Sequence, residues 1–158
     1  MSRYFPLFVD LEGKKITVVG GGAIATRRIR ALLEFGARIT VIAPKVTEEL
    51  GRFAKEDRLV WRQAAFHPDD PGAFADAFLV LAATDQKEVN LAVWQKCREL
   101  HIPVNLADDR EKCDFYFPGI ATGGGIVAGI TAEGKDHRLA REATEQVREL
   151  LAHREKER

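Results

Sequence analysis

Short apolar runs alternate along the chain with stretches in which apolar residues recur at helical spacing. KKITVVG (14–20) is β-branched and apolar, the signature of a buried strand. In AIATRRIRALLEFG (23–36), Ala25, Ile29, Leu32 and Leu33 fall on one helical face, and Arg27, Arg28 and Arg30 fall largely elsewhere. Gly36 stands where a helix C-terminus favours positive φ. RITVIAP (38–44) reads as a second strand stopped by Pro44, and Thr47 with Glu48 and Glu49 opens a short helix. LVWRQAA (59–65) is a third strand, and DDPGAFADAF (69–78) reads as a turn and a short helix. FLVLAATD (78–85) is the most apolar run and is expected at the centre of the sheet. Asp85 and Glu88 form a capping-box pattern for a helix reaching about His101, and PVNLAD (103–108) is a fifth strand.

Every crossover is too long for a hairpin, which predicts a mostly parallel, doubly wound α/β sheet with helices on both faces. Ligands of such sheets sit at the carboxyl ends of the strands. Beyond residue 113 the pattern changes. DFYFPGIA and IVAGITAE read as a hairpin joined by TGGG (122–125), followed by a helix capped by Asp136. Leu139, Ala143, Val147, Leu150 and Leu151 give that helix one apolar stripe. The chain therefore divides into a domain over 1–113 and a β-plus-helix segment over 114–158. This tail is too small to hold a core alone and needs a surface to pack on.

Composition narrows the function. Lys+Arg and Asp+Glu each number 24 in 158 residues, so net charge points to neither nucleic acid nor a membrane surface. No run approaches the roughly 18 apolar residues of a membrane span, and the first residues lack the long apolar stretch of a secretory signal, so the expectation is cytoplasm. Cys97 and Cys113 have no CxxC or metal-ligand spacing, and none of His67, His101, His137 and His153 pairs with another at such spacing. No metal site is expected.

Gly20-x-Gly22-x-x-Ala25 matches the dinucleotide fingerprint, leaving one strand and opening a helix. Gly20 permits the tight turn, Gly22 admits a pyrophosphate, and Ala25 lets the helix lie close to the sheet. The pyrophosphate would meet free N–H groups and the positive end of the dipole at the helix start. The second strand ends in Ile42-Ala43-Pro44-Lys45, without the acid that usually holds an NAD ribose. Lys45 either meets a 2′-phosphate or only solvent, so this position alone does not separate NAD from NADP. Thr84 ends the fourth strand at the same edge, either beside the cofactor or as a helix-start hydroxyl. Strand five delivers NLADD to that edge, with Asn105 inside the strand and Asp108 and Asp109 at its mouth, where a carboxylate serves either as a base or as a loop acid. Lys135, His137, Arg138 and Arg141 form a basic cluster, a receptor for a polyanion or a solvated helix face.

Taken together, YFPLFVDLEGKKITVVGGGAIATRR, ALLEFGARITVIAP, VLAATDQKEVN and NLADDREKCDFYFPGI resemble the precorrin-2 dehydrogenase family, which occurs alone or as the first module of siroheme synthase. The resemblance implies a Rossmann domain binding NAD, and oxidation of precorrin-2 to sirohydrochlorin with hydride passing to the nicotinamide. Some members also insert Fe²⁺. It further implies a homodimer built through the β-plus-helix segment. Cofactor contacts carry over to Gly22, Ala23, Ile24, Pro44 and Lys45, with Gly20, Ala43 and Thr84 beside them. The family's aspartate falls on Asp108, as proton acceptor or as partner of a pyrrole N–H. The substrate carries eight carboxylates, and its binding candidates are Asn105, Arg110, Lys112, Lys135, His137 and Arg138. The Ser-rich stretch of many members is replaced here by TAEGKDH (131–137). A second reading is an NAD(H)-binding regulatory module without catalysis, which needs no acid at the position of Asp108.

Overall fold

The computed structural model describes residues 4–133 and 136–156. In the first unit, Asp10–Tyr116, strands and helices alternate. The order is β1 (Lys15–Val19), α1 (Ala23–Glu34), β2 (Arg38–Ile42), α2 (Glu48–Lys55), β3 (Val60–Arg62), β4 (Leu79–Ala82), α3 (Lys87–Leu100) and β5 (Val104–Leu106), then a 3₁₀ turn at Arg110–Lys112. All four strand pairings are parallel, in the order β3-β2-β1-β4-β5. This is the Rossmann-type α/β sheet that the alternating pattern predicts.

The chain winds outward to β3, then returns across β1 to place β4 on its other side. The order therefore reverses between β1 and β4, the point at which sheets of this kind bind their ligands. The centre of the sheet is β1, not the more apolar 78–85 run, whose strand β4 lies between β1 and β5. Both strands are flanked on two sides, so hydrophobicity alone does not rank them.

Burial follows the spacing. Ala25, Ile29 and Leu32 of α1 are buried, as are Val93 and Cys97 of α3. The latter pair packs with Val19, Ile42, Val80, Ala82, Val104, Leu106 and Phe74 in one cluster. Each fully buried aliphatic side chain contributes about 1.5–3 kcal/mol, so this cluster fixes the strand ends that carry the site. Helix α1 ends as its sequence predicts, with Gly36 at φ 72°.

Two expected local elements differ. Residues 69–78 form turns rather than a helix, because the Asp70 carboxylate binds Gly72 N–H at 2.8 Å and the Arg62 guanidinium. Asp76 then takes φ 58°, which breaks any helical run. At α3 the N-cap is Gln86, not Asp85, and it has no side-chain cap.

The described parts of Met1–Val9 and Phe117–Arg158 form a second compact unit. It holds an antiparallel hairpin of β6 (Gly119–Gly123) and β7 (Ile126–Ile130), and α4 (His137–Lys156). Residues 114–117 add no strand of their own. Asp136 caps α4 as expected, its carboxylate accepting from Leu139 N–H at 2.9 Å. Arg148 of α4 donates to the Ile120 carbonyl of β6 at 2.8 and 3.1 Å. A Cβ at Gly119 would collide with the Thr144 hydroxyl, so helix and hairpin are in close contact.

Candidate functional site

The carboxyl edge of the sheet is built first from backbone. Gly20 has φ 115°, and a Cβ there would strike the Ala83 carbonyl at the end of β4. Only glycine fits this conformation and this approach. Gly21 is equally confined, since a Cβ would meet the Lys45 carbonyl and the Val46 side chain. Thr47 N–H donates to the Gly21 carbonyl at 2.9 Å, and the Thr26 and Thr47 hydroxyls share a 2.8 Å hydrogen bond. These contacts tie the turn after β1 to the loop after β2. Sequence reasoning assigned Gly21 no role, and nothing local distinguishes it from its neighbours.

Gly22 is the opposite case. It is the N-cap of α1, it is exposed, and a Cβ there would meet nothing within 4 Å. No side chain caps this helix. An uncapped N-terminus presents backbone N–H groups and the positive end of a dipole, the chemistry that holds a pyrophosphate. The cradle therefore fits a dinucleotide. Ala23 and Ile24 are exposed on the first turn, whereas Ala25 is fully buried against the sheet. Ala43 is buried at the end of β2, with Pro44 and Lys45 exposed beyond it. Trp61 donates its indole N–H to the Ala43 carbonyl at 2.9 Å and so supports that loop from β3.

At the end of β4, Thr84 serves its own turn. Its hydroxyl donates toward the Asn90 side-chain oxygen at 2.8 Å and accepts from Gln86 N–H at 3.2 Å. Asn90 is 1% exposed, accepts from Thr84 N–H and donates to the Thr84 carbonyl, both at 3.1 Å. One buried amide thus organises the start of α3, the task that sequence reasoning gave to Asp85. Thr84 offers the edge its backbone; its hydroxyl is already engaged.

Asn105 lies inside β5, as expected. It is 3% exposed, accepts from the Arg28 guanidinium at 2.6 Å and donates to the Phe115 carbonyl at 2.7 Å. Both ends of its amide are used within the protein, so it braces the site and does not present itself to a substrate. Burial pulls the Arg28 guanidinium below its usual value, although the group stays charged. Arg28 was expected to face away from the core with Arg27 and Arg30; instead it spans from α1 to β5.

The turn after β5 carries the carboxylates. Ala107 N–H donates to the Ala82 carbonyl at 2.9 Å, so the turn starts beside the end of β4. Asp108 is exposed. Asp109 caps the 3₁₀ turn, accepting from Glu111 N–H at 3.1 Å, and forms an ion pair with Lys112. That ammonium holds the Asp109 carboxyl below its ordinary value, and Asp109 in return raises Lys112. The Cys113 thiol donates toward the Leu106 carbonyl at 3.2 Å and accepts from Leu106 N–H at 3.1 Å, and burial pushes its pKa up. Arg110 lies over the Tyr116 ring at 5.5 Å.

His137 and Arg138 are exposed on the first turn of α4, in the second unit. Lys135 lies outside the described residues. Among the described residues, no group of three or more His, Cys, Asp or Glu is placed to hold a metal ion. No helix there is long and apolar enough to cross a membrane.

Known proteins match this arrangement. The solved structure of SirC, described as a precorrin-2 dehydrogenase, superposes with a TM-score of 0.74 at 28% identity, over 91% of this chain and 69% of that one. "Probable multifunctional siroheme biosynthesis protein HemA" of Ruminiclostridium josui is 43% identical over 147 residues, 92% of this chain and 28% of its own length. A siroheme synthase of Neisseria meningitidis serogroup C is 35% identical over 151 residues, 96% of this chain and 31% of its own. The chain thus spans less than a third of either curated relative. A family model described as "Putative NAD(P)-binding" matches residues 7–119, the whole parallel sheet and its glycine turn, and the chain belongs to that family.

Proposed function

We propose that the chain oxidises precorrin-2 to sirohydrochlorin with NAD⁺, with Asp108 taking the departing proton. The observation that carries this reading is the placement of Asp108. It is an exposed carboxylate on the turn after β5, beside the end of β4 and on the same sheet edge as the glycine cradle. The likeness to SirC and to siroheme synthase supplies the substrate.

Gly20, Gly21 and Gly22 shape the turn that would hold the dinucleotide, with the N–H groups of Ala23 and Ile24 available to its pyrophosphate and Ala43, Pro44 and Lys45 to its ribose. The second strand brings no acid, and the family resemblance supports NAD over NADP. NAD⁺ held there would supply the hydride acceptor for the macrocycle. Asp108 receives the accompanying proton and returns it to water, so the substrate loses two hydrogens in total. Thr84 and Asn105 act from behind, the first as backbone and the second as a brace. Within the first unit, Arg110 is the cation offered to substrate carboxylates.

The second unit is read as the dimer surface. Leu139 and Leu150 of α4 are 56% and 57% exposed, and Ile126 and Val127 of β7 are 43% and 42% exposed. Large apolar side chains left exposed on so small a unit favour a second copy as cover. Leu150→Glu should yield monomers on a sizing column, and an unchanged dimer would exclude this surface. Two unpaired thiols, Cys97 and Cys113, suit work in the cytoplasm.

The reading is tested anaerobically with purified protein, precorrin-2 and NAD⁺. NADH and sirohydrochlorin should appear in equal amounts. NADH binding without turnover would favour the regulatory module instead.

A further inference from the structure

Lys112 stands among the cations expected to meet substrate carboxylates, yet its ammonium is bound to the Asp109 carboxylate. The pair sits in a turn that is fastened almost everywhere. Asp109 also accepts from Glu111 N–H, and Cys113 N–H donates to the Arg110 carbonyl at 3.2 Å. The Cys113 thiol lies 3.3 Å from the Asp109 carbonyl and also grips both backbone groups of Leu106. From α3, Trp94 donates its indole N–H to the Lys112 carbonyl at 3.1 Å. Asp108 is the exception, exposed and without a hydrogen bond among the described residues. The charged groups acting on the Lys112 ammonium are Asp109, Glu111 and Asp108 itself.

We propose that Lys112 and Asp109 are positioning residues, which lock the turn so that Asp108 alone is offered to the reacting macrocycle. This inference rests on the reading of Asp108 as proton acceptor. Magnitudes separate the two effects such a pair can have. An ion pair with each side chain a third or more exposed adds little to stability. A displacement of about 1 Å at a reacting group can cost about 100-fold in rate. The pair therefore acts on turnover and leaves the fold intact.

The test is steady-state kinetics of NADH formation from precorrin-2 and NAD⁺, with NADH binding and thermal melting measured alongside. Lys112→Met and Asp109→Asn should each lower kcat about 10-fold or more, with KM for precorrin-2 within about twofold. The double variant should be no worse than either single one, because both break the same contact. Lys112→Arg, which can still grip the carboxylate, should recover most of kcat. NADH affinity and melting temperature should hold throughout. A substrate-binding lysine behaves otherwise: Lys112→Met would raise KM with kcat intact, and Asp109→Asn would leave kcat untouched. Either result overturns the proposal. Asp108→Asn keeps the two claims apart. If it retains turnover, the reading of Asp108 fails; if it is inactive while Lys112→Met keeps full kcat, only the positioning role fails.

Discussion

The turns after β1 and after β5 share one edge of one sheet, yet they are built by different means. The first is backbone. Gly20 and Gly21 are pressed against Ala83 and Lys45, and Gly22 faces open space at an uncapped helix. The second is side chain. Asp109, Lys112 and Cys113 hold it in place, and Asp108 is left exposed. A pyrophosphate is recognised by N–H groups and needs side chains kept away. A proton has to be taken by a titratable group and needs one side chain held out. The comparison predicts that substitutions at the first turn change folding or cofactor binding, whereas those at the second change rate.

The largest break should come from Gly20→Ala. Positive φ costs about 1–2 kcal/mol, and overpacking against the Ala83 carbonyl adds about 1–3. Thermal or urea unfolding should show a loss near the sum. Gly22→Ala sharpens the contrast two residues on, because its Cβ has room. That variant should melt like wild type and bind NADH about 10-fold more weakly, since only the pyrophosphate's space is filled. Normal binding by Gly22→Ala would remove the cradle from the account.

Asn105→Leu comes next. It removes one hydrogen-bond partner from the Arg28 guanidinium and one from the Phe115 carbonyl, a loss of about 1–3 kcal/mol in total. Urea unfolding at neutral pH measures it.

A smaller effect concerns pH. The Asp109 carboxyl is held below its ordinary value of 3.8 by Lys112. A depressed acid stabilises the folded state above its unfolded value and loses that contribution as pH falls through the folded one. The Lys112–Asp109 contact should therefore survive to below pH 3.8 and then open, as read by hydrogen exchange at Glu111 N–H. The smallest signal is chemical. Burial pushes the Cys97 thiol up to about 12, so at pH 8 it should resist alkylation until the chain unfolds.

Much of the first turn was legible because its causes are local. A β-branched run, glycines at fixed offsets and a helical period all lie within about twenty residues, as the fingerprint requires. The position of Asp108 after β5 was legible for the same reason. What stayed hidden is mostly long-range. Arg28 meets Asn105 across 77 positions, and no pattern marks which of three nearby arginines turns inward. Asn90 reaches back six residues to hold Thr84, a spacing outside any capping rule, so the acid at Asp85 was the natural and mistaken choice. The central place of β1 depends on pairing order, which apolar content does not encode. Residues 69–78 carried helical spacing, and the Asp70 contacts overrode it. Lys112 was read as a free cation because its partner, three residues back, looked like an ordinary loop acid.

The central claim is that the glycine turn holds the oxidant while Asp108 removes the proton. Asp108→Asn beside wild type tests it most directly, in an anaerobic time course with precorrin-2 and NAD⁺ and a parallel NADH titration. The account predicts that the variant binds NADH as wild type does and forms no sirohydrochlorin above the uncatalysed baseline. Full turnover by Asp108→Asn would contradict it.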